Sequence, residues 1–129
     1  MATSDELRAA GREIQGQLWP ATRTSTGGQF PAAQLAPDFF DYVLQTAFGT
    51  VWSRPGLVVR DRSMITVAML AALGQLEELK AHLAGARNVG LSRDELVEVL
   101  MQVAVYAGVP AAVAALRAAA DVLGTDDAG

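Results

Sequence analysis

The sequence predicts an all-α domain of about six helices that completes its burial by self-association. Three observations carry that expectation. Apolar residues recur at helical spacing along most of the chain. Caps, prolines and glycines divide those runs into lengths of three to four turns. The apolar fraction is 51% with only 6% aromatic residues, and the mean hydropathy is +0.24. A chain of 129 residues has too little interior to hide that much apolar surface, so association with further copies is expected.

The elements follow in order. Ser4 precedes the acidic turn Asp5-Glu6 and is expected to cap a first helix running to about Leu18. From Trp19 to Pro37 the composition turns to Pro20, Thr22, Thr24, Ser25, Thr26, Gly27, Gly28 and Pro31, which predicts a loop, either a connector or a lid. The core of the domain is expected over residues 38–123. A second helix should begin near Asp38, with Phe39, Val43, Ala47 and Val51 on one stripe and Phe40 and Leu44 beside it. The Pro55-Gly56 turn breaks it. Asp61 should cap a third helix reaching Leu73, with Gly74 interrupting before a fourth from Gln75 to Asn88 and a left-handed stop at Gly90. Ser92 and Glu95 form a capping box that opens the fifth helix, which ends at Gly108. Pro110 fits the first turn of a sixth helix that Gly124 stops after Leu123. Between Leu96 and Leu123 the only charges are Glu98, Arg117 and Asp121. A hairpin apolar on all faces is expected to be buried on all faces, as core and subunit contact.

Composition excludes several functions. The net charge is −4 and no clustered Lys/Arg face is present, which argues against nucleic-acid binding. The absence of cysteine removes disulfides, thiolate metal sites and cysteine nucleophiles. One histidine without paired acidic partners on other helices argues against a metal site. The acidic N-terminus has no apolar signal core and no apolar run reaches spanning length, so the expected compartment is the cytoplasm, away from membranes.

His82 is the single histidine, so imidazole chemistry has one candidate. Glu78 lies one helical turn earlier. A carboxylate there can hold the imidazole in one tautomer and tune it as an acid/base group, or the two can form a solvated surface pair. Arg54, Arg60 and Arg62 flank the Pro-Gly turn and suit either a carboxylate clamp or a structural ion pair. Trp52 is a core or interface residue or a ligand wall. Tyr106 is expected in the core with its hydroxyl satisfied, and secondarily as a proton donor. Ser63 is expected to cap or pack.

The same residues form a recognisable pattern. Phe48-Gly49-x-Val51-Trp52-Ser53-Arg54-Pro55-Gly56-Leu57 and Arg60-x-Arg62-Ser63 resemble the gamma-carboxymuconolactone decarboxylase family, as do Glu78-Leu79-x-x-His82, Ala86-x-Asn88-x-Gly90 and Val103-Ala104-Val105-Tyr106-Ala107-Gly108-Val109-Pro110. The resemblance runs from about Phe39 to Val122. It implies the alkylhydroperoxidase-like helical bundle, in the branch lacking a CxxC pair, since Gln75 and Glu78 stand at the cysteine positions. It further implies a trimer or hexamer and a cofactor-independent decarboxylase of a carboxylated lactone such as 4-carboxymuconolactone. In such a reaction the conjugated ring carbonyl accepts the electrons left by CO2, so no cofactor or metal is expected. Carried onto this sequence, His82 and Glu78 become the acid/base residues. Arg60 and Arg62 bind the anionic small-molecule substrate, and Trp52 and Tyr106 wall the pocket. Thr50, Val89 and Val113 depart from the family pattern, where Glu, Asn and Asn are frequent, and point to a less polar or different substrate. A tailoring decarboxylase, isomerase or cyclase on the same scaffold is one alternative; a non-catalytic oligomeric binding protein is another.

Overall fold

The computed structural model describes residues 1–20 and 31–125, and these are helical with no strand among them. The elements are α1 (Ser4–Leu18), α2 (Pro31–Leu35), α3 (Pro37–Val43), a π-helical segment (Leu44–Trp52), α4 (Val59–Leu73), α5 (Leu76–Asn88), α6 (Arg93–Ala107) and α7 (Val109–Leu123). The Thr/Gly-rich part of the expected 19–37 loop lies outside the described residues. Its distal part is not loop: Pro31–Leu35 forms a short helix. The chain divides into two compact units, Met1–Val59 and Arg60–Gly129.

In the first unit Thr3, rather than Ser4, caps α1, through a reciprocal capping box with Glu6. The expected second helix changes its winding at Leu44, where α3 gives way to the π-helical segment. Wider winding abandons the 3.6-residue spacing, so the predicted stripe does not form: Phe39 and Val51 are 57% and 50% exposed, while Phe48 and Gly49 are buried. The segment packs against α1 at backbone distance. A Cβ on Gly49 would lie 2.3 Å from the Leu7 carbonyl oxygen, and one on Gly11 would lie 2.6 Å from that of Leu44. Only glycine permits such an approach. Across the same pair, the Arg8 guanidinium donates through Nε and Nη2 to the Asp41 carboxylate at 2.8 and 3.0 Å. That contact holds the Asp41 carboxyl below the usual carboxylate range, with further help from Gln45. Phe48 sits between Trp19 and Trp52, edge-on to the first at 6.1 Å and stacked on the second at 5.7 Å.

The second unit is a four-helix core. Val67 and Ala71 of α4, Leu79 and Leu83 of α5, Leu96 and Leu100 of α6 and the Ala115, Ala118 and Ala119 stripe of α7 close on one another. Alanine on α7 removes the bulk that would hold its neighbours off. The helix begins at Val59, so Asp61 lies in the first turn of α4 beside the positive dipole end, not at its cap. The Ser92/Glu95 capping box forms as expected, and Gly90 takes φ +104° where a side chain would be strained. The α6–α7 hairpin differs from expectation. Leu96, Leu100 and Val103 are buried, yet Met101, Val105, Tyr106 and Val109 on the opposite side are exposed. Within one chain, no element covers the outer side of that hairpin.

Candidate active site

His82 rides on α5 between core residues. Leu79 and Ala86, one turn before and after it, and the adjoining Leu83 are fully buried, and the imidazole is 7% exposed. Losing its hydration disfavours the charged form, which pushes the His82 pKa from 6.5 down to about 4. At neutral pH the ring is therefore an uncharged base. Glu78, one turn earlier, points to the outside of the helix and is exposed. Its carboxylate makes no hydrogen bond or ion pair among the described residues. The structure brings the two onto one helix but does not join them within the chain.

The arginines separate in role. Arg60 donates to the Glu95 carboxylate and lies 3.9 Å from Asp61. Glu95 in turn closes the cap of α6, and its carboxyl is held below the ordinary range first by the Ser92 backbone N–H and then by Arg60. Arg60 thus ties the first turns of α4 and α6 together. Arg62 is half-buried on α4, with its Nε shielded from solvent and its carbonyl accepting the Thr66 hydroxyl at 2.8 Å. Ser63 is fully buried, and its hydroxyl has no hydrogen-bond partner among the described residues. Sequence reasoning assigned Ser63 to capping or packing; it does pack, on the core stripe it shares with Val67 and Ala71 one and two turns on. The unsatisfied hydroxyl carries no sequence signal.

Tyr106 corrects an expectation. It is not a core residue: its side chain is 84% exposed, at the edge of a groove of about 690 Å³ between α4 and α6. Met64, Ala68 and Met69 form one wall, and Val99, Val103 and Tyr106 the other. His82 does not line this groove. Trp52 belongs to the first unit, in the aromatic stack on Phe48. No group of three or more His, Asp or Glu side chains suited to a metal ion occurs among the described residues. No described helix is long and apolar enough to cross a membrane.

Comparison with known proteins assigns the lineage. The carboxymuconolactone decarboxylase family model matches residues 37–121, which include Trp52, Arg60, Arg62, Glu78, His82 and Tyr106 and leave α1 outside. A 4-carboxymuconolactone decarboxylase of Acinetobacter baylyi is 45% identical over 85 residues, covering 66% of this chain and 63% of that protein. A nitrosuccinic acid decarboxylase of Metarhizium robertsii is 36% identical over 76 residues, covering 59% and 53%. An uncharacterized 15.0 kDa protein of Paracoccus denitrificans is 28% identical over 96 residues, covering 73% and 72%. The matches to the two decarboxylases thus span less than two thirds of those proteins' lengths. The match to the family model covers well over half of this sequence and contains the buried histidine with its flanking core, and the chain belongs to the carboxymuconolactone decarboxylase family.

Proposed function

We propose that the protein is a cofactor-independent decarboxylase of a small carboxylate whose structure includes its own electron acceptor, with 4-carboxymuconolactone as the first substrate to test. The observation that carries this reading is His82: a buried, uncharged imidazole inside the segment that resembles a 4-carboxymuconolactone decarboxylase. As the C–C bond to the carboxylate breaks, its electron pair moves through the conjugated system onto the lactone carbonyl oxygen, leaving a dienolate. The dienolate is quenched by a proton at carbon. A resting pKa near 4 leaves His82 without that proton. A bound anion beside the ring favours imidazolium and raises the pKa again, so substrate binding loads the proton donor. Arg62, whose guanidinium is drawn into the protein, is the proposed carboxylate anchor. Arg60 can join it by exchanging Glu95 for the substrate carboxylate. Glu78 is proposed to relay protons between His82 and solvent, a role suited to its exposed position.

The nitrosuccinic acid decarboxylase relative supports a second substrate within the same chemistry. A nitro group next to the reacting carbon accepts an electron pair as a conjugated carbonyl does. The departures at Thr50, Val89 and Val113 lie within the matched segment and favour testing both.

The experiment is direct incubation of the purified protein with each substrate, following CO2 release and the absorbance of the lactone. Turnover of one or both is expected. His82→Asn should lower kcat by about 100-fold or more, in the range of a lost acid/base group, while the fold survives. Turnover of neither at high enzyme concentration would leave the assignment to another substrate or to a binding role.

A further inference from the structure

The outer side of the α4–α6–α7 unit has the composition of an interior. Ile65, Met69 and Leu73 follow one another at one-turn intervals along α4 and are all exposed. Met101 and Val105 repeat this on α6, and Val109 and Val113 on α7, with Tyr106 most exposed of all. Side chains of this number and exposure present an apolar surface on the order of the ~800 Å² per partner that a stable interface buries. Scattered apolar residues are ordinary on a protein surface; three aligned stripes facing a groove are not.

The charges at the edge of this surface say what covers it. Between Leu96 and Leu123 there are three charged residues. Asp121 is committed to Lys80 at 3.2 Å. Glu98 lines the α4/α6 groove, and Arg117 continues the exposed Val109–Val113 stripe one turn further along α7. Both are exposed, and neither makes an ion pair within its own chain among the described residues. One acid and one base, each at the border of the same apolar field, form a self-complementary pattern. A two-fold axis through the centre carries the acidic border of one copy onto the basic border of the other.

We infer that a second copy of this chain docks on the α4–α6–α7 face, with the apolar stripes buried at the centre and Glu98 paired with Arg117 of the partner subunit. The inference stands independently of the decarboxylase reading, since it uses no residue assigned to the chemistry apart from Tyr106 at the groove. The apolar field supplies the driving force; the two symmetry-related ion pairs set the register, because any slipped arrangement leaves a charge against apolar surface.

The test is a charge-reversal cycle read by light scattering and sedimentation, with helix content by circular dichroism as the folding control. Glu98→Arg and Arg117→Glu should each raise the dissociation constant of the assembly by at least about tenfold while helix content is unchanged. The double variant should return it to within about threefold of the original. Mixing the two single variants, each weak alone, should also restore assembly, because every contact then joins opposite charges. Val105→Glu, at the apolar centre, should abolish assembly in either background. A monomeric parent protein at high concentration would overturn the inference. So would single variants that assemble like the parent, or a double variant and a mixture that fail to recover. A monomer whose groove takes up the apolar dye anilinonaphthalene sulfonate stoichiometrically would assign the face to a small ligand instead.

Discussion

An imidazole stripped of water resists charging, and that gives His82 a measurable signature. With a folded pKa of about 4 against 6.5 in the unfolded chain, the unfolded state binds the extra proton between those values. The sign follows: the folded state is fully favoured above pH 6.5, and its advantage drains away as pH falls through the interval toward 4. The expected loss reaches about 3 kcal/mol at 1.36 kcal/mol per pKa unit. Denaturant midpoints measured from pH 7 to pH 4 should fall accordingly in the parent and follow a shallower slope in His82→Gln. Equal slopes would mean the ring is already hydrated. The sequence identified this residue because there is no other histidine. Its burial was not legible, because spacing along a helix says which residues share a face but not which face meets the core. Ser63 is the same lesson reversed: its place on a core stripe is readable from Val67 and Ala71, its unpartnered hydroxyl only from coordinates.

At the scale of elements, the sharpest constraint is the crossing of α1 with the π-helical segment. A methyl at Gly49 meets the Leu7 carbonyl oxygen at 2.3 Å, and neither backbone can retreat without parting the helices. Gly49→Ala should therefore destabilise the protein by about 1–3 kcal/mol, as overpacking of a close interface does. Gly56→Ala, with open space around the added carbon, serves as the control and should change little. Thermal unfolding monitored by tryptophan fluorescence reports this unit directly, through Trp19 and Trp52 around Phe48. A second element-scale expectation concerns the start of α6. Ser92→Ala removes the hydroxyl that accepts the Glu95 N–H and should cost about 1 kcal/mol. Helix limits were largely legible here, since Ser92, Glu95, Gly90, Pro110 and Gly124 act through local geometry. The π winding was not: i→i+5 bonding leaves no periodic mark in nine residues, and the stripe drawn through Phe39 and Val51 failed for that reason.

For the whole molecule, the question is where the apolar surplus goes. The core accounts for one side of each helix in the second unit, and the other side of α4, α6 and α7 faces outward in the single chain. If a second copy covers it, folding and assembly are linked by mass action, and the thermal midpoint should climb with protein concentration. A midpoint constant over a hundredfold concentration range would separate the two processes. A core substitution behaves differently. Leu83→Ala should cost about 2–5 kcal/mol at every concentration, because its contacts lie inside one chain.

Helical class, the limits of α5 to α7, the lone acid/base candidate and the excess of apolar residues were all readable from order and spacing, since each depends on contacts within a few residues. Tertiary packing alone decided that His82 is enclosed while Glu78 faces out, that Arg60 is held by Glu95, and that Tyr106 lies at a groove rather than in the core. Those outcomes depend on which face of each helix meets another, and that is set by long-range burial, which local sequence does not encode.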